Sequence, residues 1–248
     1  RDPPPPYSFH DVNSPSNPIG ENIVSTDGSK YAFLQQFDMY IVIDNSDSMQ
    51  GPLWEEAKEV LREIVSIHTT YNPYDLEIRF LNHDATYRVS SVSEVEKFLS
   101  LVKPNGRTYI AKSVYSISLP YFDMCMGNLG DIKPINIVII TGSKATDDVQ
   151  EAIVDSAQDI RRYNAPSYQF GLHCFQVGND IKASKHLKRL NKKLREKSEG
   201  GSEMGIIVNI VPSTEENKLL HAKTVLEVVI DSFDKRLEMS NPPEEIVS

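Results

Sequence analysis

Asp44, Ser46 and Ser48 occupy alternating positions directly after the apolar run Met39-Tyr40-Ile41-Val42-Ile43. One carboxylate and two hydroxyls are hard oxygen donors, which suit Mg2+, Mn2+ or Ca2+ and not zinc or copper. A compact turn can aim all three at one point. A simpler role is also open, because Ser48 can cap a helix beginning near Pro52. The segment Asp44-Asn45-Ser46-Asp47-Ser48 alone does not separate the two readings.

Rigid elements must hold such a loop. Residues 39–43 are continuously apolar and β-branched, the pattern of a strand buried on both faces. Pro52 suits a first helical turn, and Leu53, Ala57, Val60, Leu61, Ile64, Val65 and Ile67 recur at helical spacing to about residue 71. Further strands are expected over 76–81, 135–140, 169–177 and 206–211, with a short antiparallel edge strand near 86–90. Helices are expected over 92–102, from 108 towards 126, over 148–163 and 181–197, and from about 216 to 237.

This alternation predicts an α/β fold: a doubly wound, Rossmann-like, mostly parallel sheet with helices on both faces. Sites in such sheets form outside the carboxyl ends of the strands, where strand order reverses. Polar loops 44–51, 104–108 and 141–148 satisfy that rule. Residues 1–30, rich in Pro and Ser, read as an N-terminal arm, 31–240 as the domain and 241–248 as a tail.

A length of 248 residues suits one large domain. The net charge of −9 opposes binding to a phosphate backbone, so no nucleic-acid partner is expected. Cys125 and Cys174 are too few for a disulfide framework and read as reduced core thiols. No stretch approaches the roughly 20 apolar residues of a membrane helix. No signal-peptide pattern is visible, and a cytoplasmic location is the default expectation. Arg1 in place of Met leaves room for an upstream segment.

A buried strand, then D-x-S-x-S-M, then an amphipathic helix resembles the metal-ion-dependent adhesion site (MIDAS) of von Willebrand factor type A (VWA) domains. The likeness continues through Phe33-Leu34-Gln35-Gln36-Phe37-Asp38, Phe80-Leu81-Asn82-His83, the stretch 133–141 and Phe175-Gln176-Val177-Gly178-Asn179-Asp180. These segments look like parts of the VWA proteins widespread in fungi, over roughly residues 7–238. The resemblance implies a binding module and not an enzyme. It implies that Ser46 and Ser48 bind a metal directly, while Asp44 often acts through water. It also implies a threonine from a second loop. Pro104-Asn105-Gly106-Arg107-Thr108 matches, with Arg107 where the family has a second glycine. Thr108 is the candidate ligand, and equally a candidate helix cap.

The third loop departs from the family pattern of Thr-Asp-Gly. This chain has Thr141-Gly142-Ser143, so Gly142 stands where the family's aspartate completes the site. Even disturbing a group that merely orients a metal ligand costs about 10–100-fold in affinity. Asp47 and Asp147 are the accessory carboxylates able to compensate, and water can fill a Mg2+ position. The expectation is an incomplete site that holds Mg2+ (or Mn2+ or Ca2+) at millimolar concentration or not at all. By the resemblance, a partner's Glu or Asp completes the coordination. With fewer anions around it, a bound cation is more electrophilic toward that carboxylate. The alternative is a scaffold of the same fold that binds partners without metal.

Other features are each open to two readings. Pro4, Pro5 and Tyr7 form a Pro-Pro-x-Tyr segment that suits a WW-domain groove, or simply an unstructured or packed arm. Lys182, Lys185, Lys188, Arg189, Lys192, Lys193, Arg195 and Lys197 make 181–197 a basic amphipathic helix, with Leu187, Leu190 and Leu194 as its apolar stripe. Such a helix is either a solvated outer helix packed on the sheet or a face for acidic partners or membranes. The histidines show no close metal-ligand spacing. Asp44 as a phosphatase nucleophile is a remote reading. The Asp-x-Asp pattern is interrupted by Ser46, and neither a G-x-S-x-G elbow nor a phosphate loop is present.

Overall fold

A computed structural model describes residues 30–198, 207–213 and 219–240. Strand β1 (Asp38–Ile43) is buried after its first residue, and β4 (Ile135–Thr141) and β5 (Phe170–Gln176) are buried throughout. Their largely apolar sequences require cover on both faces. β2 (Leu76–Phe80) alternates buried and half-buried positions. β3 (His83–Val89) is largely exposed, and β6 (Val208–Val211) is half-buried at alternate residues. The order is β3-β2-β1-β4-β5-β6. Every neighbouring pair is parallel except β2 with β3.

The antiparallel edge strand is longer than the pattern near 86–90 indicates, since it starts at His83. Residues 83–88 are polar and mostly exposed, so main-chain pairing with β2, rather than burial, makes them a strand.

Helices α1 (Pro52–Tyr71), α2 (Val92–Leu99) and α6 (Ala222–Ser240) cover one face. Helices α3 (Ile110–Asn128), α4 (Val149–Arg162) and α5 (Ile181–Ser198) cover the other. The period of two along a strand divides the core accordingly. Met39, Ile41 and Ile43 point into the first layer, while Tyr40 and Val42 point into the second. The architecture is therefore the doubly wound, mostly parallel α/β fold that the alternation predicts. Cys125 and Cys174 are both free and buried.

One polar group sits in the core of the first layer. Arg236 of α6 is fully buried, and burial lowers its guanidinium to about 9. Its Nη2 donates to Asn136 Oδ1 at 2.7 Å and its Nη1 to Ser232 Oγ at 3.2 Å. No carboxylate pairs with it among the described residues. The contact fixes where α6 sits along β4, at an energetic cost.

No described helix is long and apolar enough to cross a membrane. The Pro-Pro-x-Tyr segment with Pro4, Pro5 and Tyr7 lies outside the described residues, as do the arm, the tail and the expected start of the last helix.

Candidate functional site

The strand order reverses between β1 and β4, because the chain goes from β1 to β2 on one side and β4 pairs on the other. Register pairs Ile43 with Ile140, so Asp44 and Thr141 leave adjacent strands side by side. This is the crevice where open α/β sheets place their ligands.

Asp44 is fully buried. Its Oδ1 accepts from the Ser46 amide at 2.8 Å, and its Oδ2 accepts from Thr141 Oγ1 at 2.7 Å and Ser143 Oγ at 3.2 Å. Burial, followed by the charge of Asp44, pushes the Cys174 thiol up to about 12. Beyond Asp44 lies a run of hydroxyls. Ser46 Oγ is 2.7 Å from Ser48 Oγ, and Thr108 Oγ1 donates to Ser46 Oγ at 3.1 Å. Thr108 Oγ1 is also 2.9 Å from Ser143 Oγ. Ser46 and Thr108 are buried while Ser48 is exposed, so the cluster opens to solvent on the first loop.

These spacings bear on metal binding. In an octahedron with Mg–O distances of about 2.0–2.1 Å, adjacent ligand oxygens lie about 3 Å apart. The Ser46–Ser48, Ser46–Thr108 and Thr108–Ser143 separations span 2.7–3.1 Å. The donor set is all oxygen, with one carboxylate, and fits a small hard cation.

A second set of contacts positions the loops. Asn45 is fully buried; its Oδ1 accepts from Asn82 N at 2.8 Å and its carbonyl from Asn105 N at 2.7 Å. Asn82 Nδ2 in turn donates to the Arg107 carbonyl at 2.8 Å. Gly106, at φ +77°, lies so close that a Cβ there would meet Asn82 Oδ1 at 2.7 Å. Only glycine combines that φ with that approach. The third loop holds Thr108 from both sides: Thr146 N donates to the Thr108 carbonyl at 2.8 Å, and Thr108 N to Thr146 Oγ1 at 3.2 Å.

The sequence candidates Asp44, Ser46, Ser48 and Thr108 are thus brought together. Neither capping alternative is realised: Gly51 caps α1, and Tyr109 precedes α3. Asp47 is exposed, and no hydrogen bond joins its carboxylate to the cluster among the described residues. Asp147 is used elsewhere: its Oδ2 accepts from Lys112 N at 2.9 Å in the first turn of α3. Gly142 faces away from the hydroxyls. A Cβ there would meet Leu53 Cδ1 and Met49 Sδ, each at 3.0 Å. The group that the third loop does present is Ser143 Oγ, which sequence reasoning missed along with Thr141, Asn45 and Asn82. Thr141 was findable from strand adjacency. If β4 neighbours β1, the residue ending β4 must lie beside Asp44.

No family model matches the chain, and no curated protein matches it. Among solved structures, it is similar to proximal thread matrix protein 1 (PTMP1) from the mussel byssus with a zinc-occupied MIDAS motif. That alignment has a TM-score of 0.50 and 15% sequence identity, over 79% of this chain and 48% of that chain. A second crystal form of the same protein aligns with a TM-score of 0.48, at the same identity and coverage. This chain spans about half the length of the solved one. The likeness establishes a VWA-like fold.

Proposed function

We propose that the chain is a protein-binding module. Its partner docks on the face formed by loops 44–51, 104–108 and 141–148, and a weakly held divalent cation joins the hydroxyl cluster to a partner carboxylate. The observation supporting this most is the convergence of Ser46, Ser48 and Thr108 oxygens, at the spacing of neighbouring metal ligands, beside one buried carboxylate.

Each residue has a task in this reading. Ser46, Ser48 and Thr108 offer the direct oxygens. Asp44 holds Ser46 by its amide and supplies the single negative charge. Thr141 and Ser143 orient that carboxylate. Asn45 and Asn82 keep the second loop against the first. When bound, the cation supplies positive charge for an anionic partner group. With one carboxylate beside it, a divalent ion retains excess charge and is held weakly, at millimolar Mg2+. Catalysis is no part of the proposal.

A metal-independent scaffold is the second reading. It is favoured by the hydroxyls satisfying one another directly, so that the cluster is complete as a hydrogen-bonded unit. Chelation separates the two. A peptide bearing a single glutamate and no net negative charge should be retained by the immobilised chain in Mg2+ or Mn2+ and released by a chelator. Retention unchanged by chelator leaves only the scaffold. Because the MIDAS motif of the structural neighbour is occupied by zinc, Zn2+ belongs in the same test.

A further inference from the structure

The exposed side chains around the hydroxyl cluster include Lys103 and Arg107 on the second loop and Lys144 on the third. Thr141 pairs with Gln176 across β4 and β5, so the third loop and the start of α5 leave neighbouring strands at the same end of the sheet. Asp180 fixes that start: its Oδ1 accepts from Lys182 N at 2.6 Å and Ala183 N at 3.0 Å. From there α5 turns Ala183, Leu187, Leu190 and Leu194 inward, all buried. Lys182, Lys185, Lys188, Arg189, Lys192 and Lys193 face outward and are exposed. Among the described residues their one ion pair is Lys192 with Glu196 at 3.7 Å, both well exposed. Such a pair neutralises little.

The loop and the helix share one electrostatic neighbourhood. His186 on α5 has its imidazole lowered by burial first, and then by the charges of Lys144, Lys193 and Arg189. Like charges three and four residues apart destabilise a helix. An anionic partner offsets that cost. The chain as a whole carries −9, so this face opposes its own net charge.

We infer that the cationic track from Lys144 along α5 binds an acidic polypeptide segment of the partner. The inference rests on the proposed function only where the track meets the cluster. Membrane adsorption is less suited, because the stripe of Ala183, Leu187, Leu190 and Leu194 is turned inward and Ile181 alone leaves little apolar surface to insert. A nucleic-acid duplex longer than the track also meets the acidic remainder of the chain, whereas a short acidic peptide is confined to the track. Helix α5, at 18 residues, is about 27 Å long. An extended peptide of about eight residues spans it.

The test uses the full chain and a fluorescein-labelled decaglutamate read by anisotropy at low salt, with Mg2+ or with chelator. The wild type is expected to bind in both conditions, more tightly in Mg2+, and to lose binding as salt rises. The triple variant Lys185→Glu, Lys188→Glu, Lys192→Glu should weaken binding at least tenfold in both conditions, and the milder Lys188→Gln, Lys192→Gln several-fold. Ser46→Ala should remove only the Mg2+ increment. No binding by the wild type overturns the inference, and so does equal binding by the triple variant while its circular dichroism is native. Tighter α5-dependent binding of a DNA duplex or phosphatidylserine vesicles than of the peptide also overturns it. Loss through α5 with no Mg2+ increment sustains the track and sinks the metal reading.

Discussion

Ser143 Oγ lies 2.9 Å from Thr108 Oγ1, closing the hydroxyl cluster from the third loop. It is one residue beyond the position where sequence resemblance looks for a carboxylate. The distinction has consequences, because positions 142 and 143 point into different surroundings. Ser143→Asp places a second carboxylate beside the cluster. It should raise Mg2+ affinity by about tenfold or more. It should also lower the stability of the metal-free protein, through repulsion with Asp44. Calorimetry and thermal melts with and without Mg2+ read both effects. Unchanged affinity would remove Ser143 from the site.

Gly142→Asp should behave differently. Its Cβ enters between Leu53 and Met49 at 3.0 Å. Overpacking of this kind costs about 1–3 kcal/mol. The expected result is a lower urea midpoint with less gain in Mg2+ affinity than Ser143→Asp. A tighter site with full stability would show that the loop rearranges to carry the side chain inward.

His68 gives the protein an acid-sensitive element. It is buried, its Nε2 accepts from Asn72 Nδ2 at 3.1 Å, and its Nδ1 has no hydrogen-bond partner among the described residues. Burial, then the charge of Lys133, lowers its imidazole to about 4. In the unfolded chain it takes up a proton near 6.5. Between these values the unfolded state binds more protons, so stability is full above pH 6.5 and falls as pH drops towards 4. The loss attributable to this residue is about 3 kcal/mol. His173, also held well below its ordinary value by burial and then by Arg236, acts in the same direction. Urea unfolding of His68→Gln across this range should show a visibly shallower decline; an identical decline contradicts the assignment.

Arg236 and Asn136 should be strongly coupled. Asn136→Ala removes the acceptor of a buried guanidinium and should cost about 2–3 kcal/mol. In an Arg236→Met background the same change should cost under about 1 kcal/mol, since no buried charge is then left unpaired. A double-mutant cycle by chemical denaturation measures this. Additive losses would mean that Arg236 does not depend on Asn136.

The sheet was legible because β1, β4 and β5 are largely apolar runs, and α1 shows its stripe and Pro52 openly. Polar β3 was legible only in part, because an edge strand is held by main-chain bonds that leave no apolar signature. At the site, Asp44, Ser46 and Ser48 were readable from type and spacing, and Thr108 through the resemblance. Ser143 and Thr141 were not, since their role follows from β1 pairing with β4 across nearly a hundred residues of chain. The Asp147 contact was hidden for a similar reason: sequence distance does not reveal that Lys112 N lies within hydrogen-bonding reach of its Oδ2.

The account turns on whether the hydroxyl cluster holds a divalent cation, and calorimetric titration of the full chain with Mg2+ and Mn2+, beside Ser46→Ala and Ser48→Ala, measures that directly. The prediction is one weak site in the millimolar range for Mg2+, lost in both variants. Submicromolar Mg2+ affinity, or binding that survives both substitutions, would contradict it.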